Sequence, residues 1–149
     1  MMAVMVLSPQ RRQIYDSIRK KWVDALPEEV VRQKILSHLV NQLGYPTHAI
    51  VVERKLSELP QVSEKKVPSR RIDILCLESE TLRPLLLIEC KAVALQEKMF
   101  AQAFGYNAYI KAPLICLAND EGFLLRWEND SSIKERNQLP TYESLKNAR

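Results

Sequence analysis

The clearest pattern of apolar and polar positions predicts a helix that begins at Pro27 and ends before Gly44. Proline is favoured at the first helical position, and glycine commonly follows the last one. The segment before this helix, residues 13–24, fits either another helix or a short hairpin that covers one edge of the domain. Within the predicted helix, apolar residues recur at the spacing of one buried face: Val31, Ile35, Leu39 and Leu43.

Three strands are predicted after this helix. Residues 49–56 are rich in β-branched side chains and predict a first core strand. A polar loop follows over residues 57–69. Residues 70–91 then contain two more apolar strands, and the turn between them, around residues 78–84, is short enough for antiparallel pairing.

The second half of the chain continues with a predicted helix over residues 95–111 and a buried strand over residues 113–119. A strand, a helix and a strand in this order call for a right-handed crossover and parallel pairing. Residues 122–128 alternate like an outer strand, and a short helix is expected from Tyr142 in a polar tail. The predicted fold class is α/β (α+β), with a mixed central sheet flanked by helices.

Three charged residues interrupt the two apolar strands of residues 70–91. Asp73 lies among apolar neighbours, where a carboxylate is costly to bury unless a cation or hydrogen-bond donors compensate for it. Glu89 and Lys91 are two residues apart, so they project from the same face of the next strand. A divalent metal ion between Asp73 and Glu89 would supply the compensation.

At 149 residues with 46% hydrophobic content, the chain suits one compact domain over residues 1–149. We place its core at about residues 27–128, an N-terminal extension at 1–26 and a C-terminal tail at 129–149. No apolar run approaches the roughly 20 residues needed to cross a bilayer, and the first residues do not have the form of a signal peptide. We therefore expect a cytoplasmic protein without a membrane partner.

The cysteines Cys76, Cys90 and Cys116 each fall within a predicted strand and show no CxxC spacing. This pattern favours buried free thiols over a zinc site or a disulfide. The net charge of +4 permits a polyanionic partner without requiring one. Among the basic clusters, the arginine pair just upstream of Asp73 is of most interest, because it would lie at the mouth of a site built on that strand.

A pair of carboxylates offers hard oxygen ligands, which suit Mg²⁺ or Mn²⁺. These ions keep several waters and bind phosphate oxygens at their remaining positions, so the pair indicates phosphate chemistry. Lys91, on the same face as Glu89, is placed to help deprotonate an attacking water or to stabilise the charge of the transition state.

Asp73, fifteen intervening residues and the Glu-x-Lys that begins at Glu89 resemble the motif of PD-(D/E)xK nucleases, whose core has an αβββαβ arrangement. Ile72 stands where the motif has proline. The segments PEEVVRQKILSHLVNQLGYP, ECKA, QAFGYN and APLICLAND extend this resemblance. Together they resemble the N-terminal nuclease domain of type I restriction enzyme R subunits and its stand-alone relatives, over residues 19–128.

The resemblance implies an Mg²⁺-dependent (or Mn²⁺-dependent) deoxyribonuclease that hydrolyses phosphodiester bonds with a metal-activated water. It makes Asp73 and Glu89 the metal ligands and Lys91 the catalytic lysine. The remaining implied site residues are a glutamate of the first helix, acting as an auxiliary acid, and two residues that match the QxxxY element, which positions the catalytic residues or the DNA strand: Glu29 (with Glu28 as the alternative), Gln102 and Tyr106.

DNA would be held by its backbone, so binding should weaken steeply as the salt concentration rises. The three glycines of the chain cannot form a GxxxxGK[ST] loop, and any translocation along DNA would come from another protein, such as a separate helicase or a modification or specificity subunit. The candidate phosphate contacts are four basic residues: Lys65, Lys66, Arg70 and Arg71.

Two other interpretations stay open. The first keeps the fold without the reaction, as a catalytically silent nucleic-acid-binding or assembly module that works with a motor or restriction partner. The second is a small homodimeric structural domain in which Asp73 and Lys91 belong to a fortuitous charged cluster. A Glu-x-Lys alone is weak support for a nuclease, because alternating charges at strand ends are common. The order of the elements together with the spacing of the motif favours the nuclease.

Overall fold

The computed structural model describes residues 5–7, 12–60, 62 and 66–148, which form two β-sheets and three α-helices. Lys65 lies outside the described residues. The elements, in chain order, are β1 (Met5–Leu7), β2 (Arg12–Asp16), β3 (Lys21–Asp24), α1 (Pro27–Asn41), β4 (Ile50–Lys55), β5 (Arg71–Leu77), β6 (Pro84–Cys90), α2 (Phe100–Ile110), β7 (Leu114–Ala118), β8 (Phe123–Trp127), β9 (Lys134–Arg136) and α3 (Tyr142–Asn147).

The larger sheet has the strand order β4-β5-β6-β7-β8-β9. Its neighbouring strands are antiparallel except β6 and β7, which pair in parallel and are connected through α2. The order α1, β4, β5, β6, α2, β7 is the predicted αβββαβ core, and the parallel pairing is confirmed. The fold is a mixed α/β architecture with a six-stranded mixed sheet flanked by helices, as the sequence predicted.

Apolar side chains fill both faces of this sheet. On one face, Leu39 of α1 packs with inward side chains of β5, β6 and β7, including Ile88. On the other face, Tyr106 of α2 belongs to a second cluster with Leu87. Successive residues of a strand point to opposite faces, so Glu89 follows Leu87 onto the α2 face. The three cysteines are buried and free, as predicted.

The first turns of α1 bury more than the predicted apolar stripe. Val31 and Ile35 are buried, as expected, but so are Arg32 and Gln33. The pattern of apolar positions did not predict this burial. It arises because this half of α1 lies above carboxylates, which accept hydrogen bonds from the guanidinium and the amide.

The segment before α1 is a hairpin, so the helical alternative for residues 13–24 was wrong. β2 pairs with β1 and with β3 in an antiparallel sheet of its own. Ile14 is buried at 2% exposure, and Asp16 is fully buried. The small sheet is therefore connected to α1 through Asp16, which accepts a hydrogen bond from Gln33, and Ile18 packs against the core of the larger sheet.

Two features of the second half differ from the prediction. α2 begins at Phe100, after a 3-10 turn over Glu97–Met99, and not at residue 95. β9 was not predicted, because its three residues are exposed and polar and show no apolar alternation. The short helix from Tyr142 is confirmed as α3. Across the described ranges, no helix combines the length and the apolar character needed to cross a membrane.

Candidate active site

An open cleft of about 450 Å³ lies where β5 and β6 meet the first turns of α1 and α2. The side chains at its wall are mostly charged, and they include most of the predicted site residues. The lining residues are Glu28, Arg32, Glu53, Arg70, Arg71, Asp73, Glu89, Cys90, Lys91, Gln102 and Tyr106.

Asp73 and Glu89 face each other just beyond the last paired residues of β5 and β6, Ile74 and Ile88. Both acids are buried, with 8% and 5% exposure. Asp73 accepts a hydrogen bond from the Cys90 amide at 2.8 Å and one from the Arg32 guanidinium at 2.6 Å. A cation and a backbone donor thus compensate the buried carboxylate, as the sequence required.

Glu89 has an unusual electrostatic environment. Burial raises the pKa of Glu89 well above its ordinary value, and the charge of Asp73 raises it further, although Lys91 acts in the opposite direction. The Glu89 Oε1 atom is buried and has no hydrogen-bond partner among the described residues. Burying a carboxylate oxygen without a hydrogen-bond partner lowers the stability of the fold, and a cation bound in the cleft would offset this loss.

The residues of the cleft fit an Mg²⁺ or Mn²⁺ ion of the partly hydrated kind. Asp73 and the unpartnered Glu89 oxygen supply two carboxylates beside an open cleft, and Mg²⁺ is typically held by one or two carboxylates, several waters and substrate phosphates. No group of three or more His, Cys, Asp or Glu side chains suited to a metal ion occurs within the described ranges. The donor set therefore suits a substrate-shared ion and not a closed structural site.

Lys91, Gln102 and Tyr106 form a connected chain of polar contacts along the cleft. The Lys91 ammonium donates to Gln102 Oε1 at 3.4 Å, and Gln102 Nε2 donates to the Tyr106 hydroxyl at 3.0 Å. Gln102 and Tyr106 lie one helical turn apart on α2 and share a face, as predicted. The structure thus brings these three predicted site residues together.

Of the two glutamates considered for the first helix, Glu28, the alternative, lines the cleft, whereas Glu29 does not. Glu29 instead accepts hydrogen bonds from Arg19 at 2.6 Å and from Arg32 at 2.8 Å. Within the described part of the chain, its carboxylate is therefore connected to Asp73 through the Arg32 guanidinium.

Arg32 and Glu53 are site residues that sequence reasoning missed. The Arg32 guanidinium contacts Glu29, Glu53 and Asp73 at 2.6–2.8 Å. Burial disfavours the charge of Arg32, but the hydrogen bond and the charge of Asp73 outweigh burial and hold its pKa above its ordinary value. Arg32 stands one turn before Leu36, on the apolar stripe of α1, and an arginine on a buried stripe is the signal that could have revealed it.

Of the predicted phosphate contacts, Arg70 and Arg71 line the cleft and are exposed. Arg71 also donates to the backbone carbonyl of Glu53 at 3.1 Å. Lys66 is exposed but is not a lining residue. The cleft therefore has a basic rim above an acidic floor.

The family described as type I restriction enzyme R protein N terminus matches residues 27–140, from the first residue of α1 to the second residue before α3. The predicted resemblance ended at residue 128, so the match extends further and includes β9. Searches of curated proteins and of solved structures found no match.

Proposed function

The chain belongs to the type I restriction enzyme R protein N terminus family, and we propose that it is a metal-dependent deoxyribonuclease domain of the PD-(D/E)xK type. The observation that carries the proposal is the convergence of Asp73, Glu89 and Lys91 on one cleft, with an unpartnered Glu89 oxygen at its floor. The family match supports a nuclease-related domain, and the cleft supports the hydrolysis of a phosphodiester.

The proposed substrate is DNA held by its backbone. Arg70 and Arg71 are exposed at the rim of the cleft, where guanidinium groups suit the recognition of phosphate oxygens. Because the described residues of the rim contain no base-reading motif, we propose that context or a partner, such as a separate motor or specificity subunit, determines where the domain cuts.

We assign the chemistry of the site as follows. Asp73 and Glu89 would hold an Mg²⁺ or Mn²⁺ ion, which when bound supplies a polarised water and neutralises phosphate charge. Lys91 is positioned by its contact with Gln102 and would accept the water proton or stabilise the negative charge of the pentacoordinate transition state. Tyr106 fixes the amide of Gln102 and thereby the position of Lys91.

A second function, a silent DNA-binding or assembly module, is favoured by one observation. The Arg32 guanidinium contacts Asp73 at 2.6 Å, so the acid that would bind the metal ion already has a cation. A domain that never cuts would retain this ion pair as a structural feature. The cleavage experiment separates the two functions.

The experiment measures cleavage of supercoiled plasmid and of single-stranded DNA with Mg²⁺ or Mn²⁺, and with EDTA in place of the metal. The variants are Asp73→Ala and Lys91→Ala, and their matched controls are Asp120→Ala and Lys98→Ala, which change exposed residues outside the cleft. We expect metal-dependent cleavage by the wild type and both controls and its loss in both site variants. Metal-dependent DNA binding without any cleavage would favour the silent module.

A further inference from the structure

Glu53 adds a third carboxylate to the site, on the strand next to Asp73. Val52 pairs with Ile74 and Arg54 pairs with Ile72, so Glu53 lies opposite Asp73 between β4 and β5. Asp73 in turn lies opposite Glu89 between β5 and β6. Three acids therefore cross three adjacent strands at one level, at the floor of the cleft.

The backbone of Glu53 is strained. Its φ is 52°, in the left-handed region that a residue with a β carbon rarely adopts. The guanidinium of Arg71 donates to its carbonyl at 3.1 Å and helps to hold this conformation. Strain of this kind concentrates at functional sites, where it directs a side chain that regular strand geometry would point elsewhere. Here the directed group is the Glu53 carboxylate, which accepts from Arg32 at 2.7 Å.

Arg32 is the cation that these acids surround. It is 6% exposed, and its Nη2 is shared between Glu53 and Asp73 while its Nη1 binds Glu29 at 2.8 Å. Its Nε–H is buried without a hydrogen-bond partner among the described residues. Both the donor Arg32 Nε and the acceptor Glu89 Oε1 are thus unsatisfied in residues that line the same cleft.

We propose that Arg32 is an exchangeable countercation of Asp73. It neutralises Asp73 in the metal-free protein and is displaced from Asp73 when the divalent ion binds there. Glu53 then holds Arg32 beside the substrate phosphate. The inference rests on the proposed function. It follows from competition, because Arg32 and a metal ion require the same carboxylate. Glu29 and Glu53 keep the guanidinium in place after the exchange, so its freed N–H group can bind a phosphate oxygen.

The test is Mn²⁺ binding to the full chain without DNA, measured by isothermal titration calorimetry at one low salt concentration. We expect Arg32→Gln to bind Mn²⁺ roughly tenfold more tightly than the wild type, because one charge-assisted hydrogen bond no longer competes for Asp73. The matched control is Arg70→Gln, which removes the same charge from the exposed rim of the cleft, whereas Arg71 also holds the backbone of Glu53. Equal affinities of the two variants, or weaker binding by Arg32→Gln, would overturn the inference.

A second measurement uses the unaltered protein, in case Arg32→Gln does not fold. The ¹⁵N–¹H signal of Arg32 Nε is followed by NMR while Mg²⁺ is added. Exchange at Asp73 predicts a shift of this signal that saturates with metal binding and that is absent in Asp73→Ala. A signal that stays unchanged while Mg²⁺ binds would contradict the exchange.

The measurements distinguish a failure of the proposed nuclease function from a failure of the Arg32 exchange. If the wild type and Arg32→Gln bind no Mn²⁺ at all, both the proposed function and the exchange fail. If the wild type binds Mn²⁺ through Asp73 and cleaves DNA but Arg32→Gln binds no more tightly than Arg70→Gln, the nuclease assignment stands and the exchange alone is wrong. If Arg32→Gln binds more tightly and cleaves more slowly at saturating Mn²⁺, both parts of the proposal are supported.

Discussion

At the scale of single residues, the site is organised by two buried carboxylates with opposite surroundings. Asp73 accepts from a backbone amide and a guanidinium, whereas Glu89 leaves an oxygen without a partner. The Asp73 carboxylate therefore has donors that compensate its burial, whereas this Glu89 oxygen has none among the described residues. This difference makes Glu89 the residue at which metal binding would gain the most stability.

The raised pKa of Glu89 predicts how stability depends on pH in EDTA. The folded chain holds the Glu89 proton more tightly than the unfolded chain, so the free energy of unfolding falls as the pH rises above the ordinary value of 4.5. Glu89→Gln removes this dependence. In urea unfolding, we expect the free energy of unfolding of the variant to exceed that of the wild type by roughly 1–3 kcal/mol at pH 8 and by little at pH 4.5. A difference of the same size at both pH values would contradict the assignment.

The arginines of the rim predict the salt dependence of DNA binding. If Arg70 neutralises one phosphate, Arg70→Gln lowers the slope of log affinity against log salt by about one. Arg136→Gln is the control, because Arg136 is exposed on β9 and is not a cleft residue. Fluorescence anisotropy between 50 and 200 mM salt, about the range over which such contacts are screened, measures both slopes. Identical slopes for the two variants would remove Arg70 from the interface.

The sequence predicted the site residues that belong to a motif. It missed the site residues whose positions depend on how strands and helices pack together. Asp73, Glu89 and Lys91 were found because charges in apolar strands are conspicuous. Glu53 was not, since its relation to Asp73 exists only once β4 and β5 are in register. Arg32 falls on the apolar stripe of α1, but only the tertiary structure determines which acids lie beneath it.

At the scale of elements, the Asn107 side chain connects the end of α2 to the segment just before β7 by hydrogen bonds. This side chain is 1% exposed, and it accepts from the Ala112 amide at 2.8 Å and donates to the Ala112 carbonyl at 2.9 Å. It also contacts the Glu128 carboxylate. These hydrogen bonds hold α2 against the sheet, and α2 carries Gln102 and Tyr106.

Replacing Asn107 with leucine should therefore destabilise the crossover. Leucine has a similar size but leaves both backbone groups of Ala112 buried without partners, which costs roughly 2–4 kcal/mol in the free energy of unfolding. Asn147→Leu is the control, since Asn147 lies at the end of α3 and its amide makes an exposed contact with Glu143. Equal stability of the two variants in urea unfolding would contradict this role.

The elements whose apolar positions recur at a single spacing were predicted well. α1 and the strands β4 to β8 show helical or strand patterns because their apolar side chains pack in the core. β9 escaped prediction because an exposed edge strand of three polar residues has no such pattern. The segment 13–24 was ambiguous, since its buried positions are an isoleucine and an aspartate and not an apolar stripe.

At the scale of the molecule, a chain of ion pairs joins the small N-terminal sheet to the candidate active site. Arg19 contacts Asp16 and Glu29, and Glu29 contacts Arg32, which reaches Asp73. The fully buried Asp16 also accepts from Gln33 at 3.0 Å. The N-terminal sheet therefore supports the helix that carries Arg32.

Asp16→Asn tests this support through stability. Burial opposes the charge of Asp16, but hydrogen bonds from the Arg19 backbone and side chain outweigh it and hold its pKa below the ordinary value of 3.8. Its contribution is thus present above that value and is lost as the pH falls through the lower folded pKa. We expect Asp16→Asn to cost roughly 1–3 kcal/mol at pH 7 and progressively less below pH 3.8 in urea unfolding. Asp120→Asn, in an exposed turn, should cost little at either pH.

Metal-dependent cleavage shows whether the cleft hydrolyses DNA with Asp73 and Lys91. Initial rates of plasmid nicking in Mn²⁺ are compared between the wild type, Asp73→Ala and Lys91→Ala, with Lys98→Ala as the control. We expect a wild-type rate that EDTA abolishes, a normal rate for the control and a fall of at least about a hundredfold in each site variant. Cleavage that persists unchanged in Asp73→Ala and Lys91→Ala would contradict the assignment of the reaction to this cleft.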